Sequence, residues 1–143
     1  MSNRFAAADH WGKGVDAEVR GDHERAIIEY QQSLRFDPSD HYVRYSLGGV
    51  YERQKKYEAA ITEYQKAVIL ARAEPDGLLG VALAEYQMGN AYFEKGDYAG
   101  AAQAYQRVIA LSPPAKNIKD FLAVQKSAVE YLEESKRLLH DKA

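Results

Sequence analysis

The residues best equipped for chemistry are four histidines, His10, His23, His41 and His140, and their spacing with carboxylates does not describe a metal site. Cysteine is absent, which removes disulfides, thiolate nucleophiles and sulfur ligands. Gly12-Lys13-Gly14 lacks the spaced upstream glycine and the following Ser or Thr of a phosphate loop. Arg20-Gly21-Asp22 imitates an adhesion motif and is accounted for below as a turn. No Ser/His/Asp set falls at positions that the chain's periodicity would gather into one pocket. The expectation is a non-enzymatic protein with no catalytic residue, no cofactor and no metal. What the sequence supplies in excess is aromatic surface, with 11 Tyr against 4 Phe and 1 Trp, and rings of that kind are binding material.

The chain of 143 residues has the length of one domain and can bury a real core. Its 19 Lys+Arg against 21 Asp+Glu give a net charge of −2, so it lacks the concentrated positive surface that nucleic acid or an anionic membrane demands. No window approaches the roughly 18 apolar residues of a membrane span, and the opening segment has no long apolar run. These features lead us to expect a soluble, cytoplasmic protein with no nucleic-acid partner and no direct membrane insertion.

The elements that would position the rings are repeats. Gly14, Gly48 and Gly89 lie 34 and then 41 residues apart, and the pairs Ala26/Tyr30, Ala60/Tyr64 and Ala101/Tyr105 keep the same two intervals. Each segment reads as two helices. In the second, Leu47 and Tyr51, then Tyr57, Ala60, Ile61, Tyr64, Ala67 and Val68, follow the i, i+3, i+4, i+7 rule of an apolar helical face. Gly21-Asp22 and Gly96-Asp97 suit a turn in which glycine leaves one helix and aspartate caps the next. The second repeat has Lys55-Lys56 there, so its turn must form without glycine. Small residues such as Gly48 and Ala60 should let paired helices approach, with Tyr51 and Tyr64 filling the gap between successive pairs.

LGGVY…YEAAITEYQKAV from Leu47 and MGNAYFEKGDYAGAAQAYQRVIALSP from Met88 resemble tetratricopeptide repeats. The first repeat is weaker at its start, where Lys13 stands at the site of Leu47 and Met88, and DHERAIIEYQQSLRFDPSD again matches well. The resemblance covers roughly residues 7–115. It implies an all-α solenoid of three helix–turn–helix repeats, about 7–40, 41–75 and 76–115, closed by a C-terminal helix over about 117–141. That last helix carries Phe121, Val124, Ala128, Tyr131, Leu132, Leu138 and Leu139 on one broad face, with Glu133 and Arg137 available as an exposed pair.

The second interval exceeds the first by seven residues around Ala73-Glu74-Pro75-Asp76-Gly77. We expect about one extra turn on each flanking helix, a protruding hairpin and a cap at Asp76. The lengthening is either a plain extension or a way for Leu78, Leu79 and Leu83 to add apolar surface.

Packing positions and the closing helix account for eight tyrosines, leaving Tyr42, Tyr45 and Tyr86 on opening helices. Stepping by three and four gives stripes containing Trp11 and Val15, then Tyr42, Tyr45, Gly49 and Arg53, then Leu79, Leu83, Tyr86, Asn90 and Phe93. The resemblance implies that opening helices line a concave face and that these residues contact an extended or helical peptide. Asn90 could meet a ligand's main chain, and Gly49 would leave a gap for a side chain. Chaperone-adaptor members of the family hold a terminal carboxylate with a two-carboxylate clamp of basic residues and asparagines. Its matching sites here are Trp11, Val15, Ser46, Leu83 and Gln87, none of them basic, so the clamp is absent. Glu18, Glu52 and Glu94 against Arg53 favour a neutral to mildly basic, apolar partner segment. Two alternatives stay open: a homo-oligomer built on the protruding hairpin or the last helix, and a repeat segment of a larger protein.

Overall fold

The computed structural model describes residues 3–142, and these form seven helices with no strand among them. In order they are α1 (Arg4–Val19), α2 (His23–Phe36), α3 (His41–Arg53), α4 (Tyr57–Arg72), α5 (Leu78–Lys95), α6 (Tyr98–Ala110) and α7 (Ile118–Lys142). The chain divides into two compact units, residues 1–70 and 71–143.

The turns inside the three hairpins share one backbone solution. Gly21 and Gly96 are left-handed, at φ 73° and 90°. Asp22 and Asp97 then accept the amide hydrogens of Arg25 and Gly100, capping α2 and α6. In the middle hairpin Lys55 takes the left-handed conformation at φ 61°. Its neighbour Lys56 donates its amide to the Tyr51 carbonyl, the same closure that Asp22 makes to Ala17 and Asp97 makes to Tyr92.

In the first unit Ala26, Tyr30, Leu34, Val43, Leu47 and Val50 form the core, with Val15, Ile27 and Tyr51 packed on it. In the second unit Ala82, Ala101, Tyr105, Val108, Phe121, Ala128 and Leu132 do so. The glycine–tyrosine pairs explain the register within each hairpin. A Cβ on Gly48 would stand 2.7 Å from Tyr64 Cε1, and one on Gly89 would stand 2.6 Å from Tyr105 Cε1. The large rings therefore lie over the glycines of their own hairpins, where the sequence pattern suggested that Tyr64 bridges successive pairs. Tyr30 and Gly14 are arranged in the same way.

A polar cross-tie accompanies each of these contacts. His10 Nδ1 and Glu29 Oε2 are 2.7 Å apart, and Arg44 donates to Glu63 at 3.1 Å. Both residues of each tie occupy equivalent places, four before the glycine and one before the tyrosine. The third hairpin reverses the polarity: Glu85, four before Gly89, accepts from Arg107 at 2.9 Å, and Arg72 lies 4.0 Å away. Glu29 and Glu85 are almost fully buried, so these partners are what makes their charge tolerable. The hydrogen bond with His10 holds the Glu29 carboxyl below its ordinary value.

The seven additional residues are not shared evenly. α4 runs eight residues beyond Tyr64, where α2 runs six beyond Tyr30. α5 begins eleven before Gly89, where α3 begins seven before Gly48. Most of the lengthening is thus a full turn at the start of α5, with half a turn on α4 and one residue in the loop. The expected Asp76 cap does not form. Gly77 occupies the N-cap position without a side-chain bond, and Asp76 instead pairs with Lys116 at 3.3 Å.

The last helix packs on α6 and α5 through Phe121, Ala128 and Leu132, and through Ser135, which is fully buried. Gln125 adds a link that its polarity concealed. Its amide nitrogen donates to the carbonyls of Val108, Ile109 and Leu111 at 3.1, 3.3 and 2.8 Å, satisfying the orphan end of α6. On the solvent side Arg137 pairs with Glu134 and Asp141, and Glu133 faces Lys136, so the anticipated Glu133–Arg137 pair is replaced by its neighbours.

Candidate functional site

A buried tyrosine, Tyr30, Tyr64 or Tyr105, lies over the glycine of the opening helix in each hairpin. A tyrosine ring buried over a glycine still needs a partner for its hydroxyl. Tyr30 donates to Glu18, and Tyr64 donates to Glu52 at 2.8 Å. Burial, reinforced by these carboxylates, pushes both phenols well above the usual tyrosine range. Glu18 also receives the Arg53 guanidinium. Glu18 and Arg53 thus pair with one another, the Arg53 side chain remaining exposed.

Trp11 and Tyr42 are the most open of the candidate rings, at 41% and 62% exposure. They line one cleft of about 390 Å³ together with Arg4, Ala7, Ala8, Asp37 and Asp40. α1 contributes the tryptophan and the small alanine floor. Asp40, which caps α3 by accepting from the amides of Tyr42 and Val43, fixes the helix start that presents Tyr42. The Tyr42 ring also lies 4.2 Å from that of His41.

Tyr45 is half-buried, its ring 5.8 Å from that of Tyr64. Val15 packs on the core of the first unit. Gly49 does leave space, because an added Cβ would meet only the Tyr64 hydroxyl at 3.8 Å.

In the second unit the α5 stripe is drawn into a cluster of rings. Tyr86 lies 5.8 Å from Tyr105 and 6.3 Å from Tyr131, and Phe93 lies 5.7 Å from Tyr131 in an edge-on arrangement. Tyr131 remains 41% exposed and joins this surface from α7. It was hidden in the sequence because it sits on the apolar face of the closing helix, and only the packing of α7 on α5 brings it to the stripe. Asn90 is occupied on both sides: its oxygen accepts the Tyr105 hydroxyl at 2.6 Å and its nitrogen donates to Gln87 at 3.2 Å. It supports the rings, with one amide hydrogen left over. Leu79 lies against the core and lines a cavity of about 320 Å³ with Pro75, Leu78, Pro114 and Lys116, and Leu83 is half-buried.

Gathered by spacing, these hairpins repeat a glycine and a tyrosine at fixed offsets, and a family model described as the tetratricopeptide repeat matches residues 41–113. The chain belongs to the tetratricopeptide repeat family. It is similar to a wheat (Triticum aestivum) Hsp70-Hsp90 organizing protein, 28% identical over 116 residues, covering 81% of this chain and 19% of that one. The chain thus spans about a fifth of the length of that relative. Among solved structures, the N-terminal domain of stress-induced protein-1 from C. elegans superposes with a TM-score of 0.77 at 24% identity, covering 94% of this chain and 99% of that chain. The first tetratricopeptide domain of Spaghetti (RPAP3), bound to the HSP90 peptide SRMEEVD, gives 0.73 at 23% identity, covering 96% and 98%. The fold is accordingly the all-α solenoid of tetratricopeptide domains, three helical pairs and a closing helix. Among the described residues no helix is long and apolar enough to cross a membrane.

Proposed function

We propose that this tetratricopeptide domain is a non-enzymatic module that holds a peptide or helical segment of a partner protein on its opening helices, without a two-carboxylate clamp. The contact residues are Trp11, Val15, Tyr42, Tyr45, Gly49 and Arg53 from α1 and α3, and Leu79, Leu83, Tyr86, Asn90 and Phe93 from α5. Tyr131 extends the second set. Residues 7–40, 41–75 and 76–115 act as the three repeats that carry them.

The observation that carries this reading is the cleft shared by Trp11 and Tyr42, where two large rings stay exposed over a floor of alanines. Exposed rings cost little entropy to order and dominate the binding energy of interfaces. The partner segment is apolar and neutral to mildly basic. Asp37 and Asp40 line the cleft and Glu94 is exposed, whereas Arg53 is already paired with Glu18.

The test compares partner capture by wild type, Trp11→Ala and Tyr42→Ala, followed by affinity measurement on the captured partner. Each substitution is expected to weaken binding by about 1–2 kcal/mol, a usual hot-spot size, with helicity and melting temperature unchanged. Undiminished capture by both variants would refute the reading.

A further inference from the structure

We propose that the cleft between α1 and the α2–α3 turn receives a cationic side chain, a lysine or an arginine, from the partner segment. This rests on the peptide-binding reading above and names the residue type that its first subsite selects.

The lining decides the chemistry. Two aromatic rings, Trp11 and Tyr42, line the cleft and stay partly exposed, Tyr42 also packing on His41, and a cation over an aromatic face is attracted by the ring quadrupole. Asp37 and Asp40 stand in the same lining. Both are held in place by local bonds made through Oδ1: Asp37 accepts from the Ser39 amide and hydroxyl at 3.3 and 2.9 Å, and Asp40 accepts from Tyr42 and Val43. The second oxygen of each carboxylate is left to meet an incoming charge. A purely apolar side chain entering here would strip water from two carboxylates and return nothing to them. An acidic one would face like charge. A long cationic side chain satisfies both halves of the cleft, its methylenes on Ala7 and Ala8 and its charged end between ring and carboxylate.

Arg4 is the opposing element. It lines the cleft, and among the described residues it makes no ion pair with Asp37 or Asp40. It lowers the attraction for a cation and sets up a substitution with the opposite sign to the others.

Trp11 is the single tryptophan of the chain, so its fluorescence reports on this cleft alone. The probes are N-acetyl-lysine amide, N-acetyl-arginine amide and the uncharged N-acetyl-norleucine amide. Saturable changes in Trp11 emission with the lysine and arginine probes, several-fold tighter than with norleucine, are expected. The preference weakens as salt is added. Asp37→Asn and Asp40→Asn, which keep the capping geometry, each reduce cation affinity about two- to fivefold, and Arg4→Ala raises it by a similar factor. Equal or tighter binding of norleucine overturns the inference. So does the absence of saturation with any probe. In both cases loss of partner capture in Trp11→Ala would leave the peptide-binding reading standing, and intact capture would remove both.

Discussion

The Asn90 side-chain oxygen accepts the Tyr105 hydroxyl at 2.6 Å, one helical turn before the place where the first two hairpins keep the equivalent acceptor. There Glu18 and Glu52 receive Tyr30 and Tyr64 from four residues beyond the glycine. The third hairpin has Phe93 at that position, turned edge-on to Tyr98 and Tyr131. An aromatic contact to the closing helix has taken the carboxylate's place, and the asparagine supplies the missing acceptor. Asn90→Ala removes that acceptor from a fully buried tyrosine and is expected to destabilise the domain by about 1–2 kcal/mol, with Asn90→Asp much closer to wild type. Urea unfolding of the three proteins checks this.

The middle turn carries avoidable strain. Lys55 is left-handed, a conformation that costs a residue with a Cβ about 1–2 kcal/mol. Lys56 stands where Asp22 and Asp97 cap the other two closing helices. Lys55→Gly with Lys56→Asp should therefore stabilise the protein by about 1–2 kcal/mol, the gain from the left-handed site being partly offset by the greater freedom of glycine in the unfolded chain. A higher midpoint in urea at unchanged slope is the expected result.

Glu29 ties acid stability to the first hairpin. Its carboxyl is held below its ordinary 4.5, first by the His10 hydrogen bond and then, against the cost of burial, by the nearby charges of Arg25, His10 and Lys13. A depressed folded value means that the stabilisation is complete above about 4.5 and is lost as pH falls through the lower folded value. Wild type should exceed Glu29→Gln in melting temperature near neutral pH. The advantage should shrink steadily under acid conditions. A difference that persists unchanged into strong acid would show that packing, and not charge, separates the two.

The repeat was legible because its landmarks are small residues and rings at fixed intervals, and steric fit ties those residue types to one geometry. Gly48 under Tyr64 is such a landmark, and so is the Gly96-Asp97 turn. The polar interior was not legible. His10–Glu29, Arg44–Glu63 and the reversed Glu85–Arg107 join residues 19 to 22 apart, and each side chain alone reads as solvated surface. The same limitation applied to the candidate site. Periodicity placed Trp11 and Tyr42 on opening helices, where they are open, but Glu18, Arg53 and Asn90 share that stripe and are engaged by partners on other helices. Tyr131 joins the α5 rings only through the packing of the closing helix.

The similarity to chaperone-binding domains makes a negative prediction worth measuring. A peptide ending in EEVD presents two carboxylates at its last residue, and removing them from water requires cations at defined places. The matching positions here are Trp11, Val15, Ser46, Leu83 and Gln87. Trp11 belongs to a cleft lined by two aspartates, and Gln87 accepts from Asn90. Calorimetric titration with SRMEEVD is expected to give no saturable heat. Installing the clamp through Trp11→Lys, Val15→Asn, Ser46→Asn, Leu83→Lys and Gln87→Arg should create salt-sensitive binding, since attraction between exposed charges is screened. Saturable binding of that peptide by the wild-type domain would overturn the assignment of a clamp-free, aromatic recognition surface.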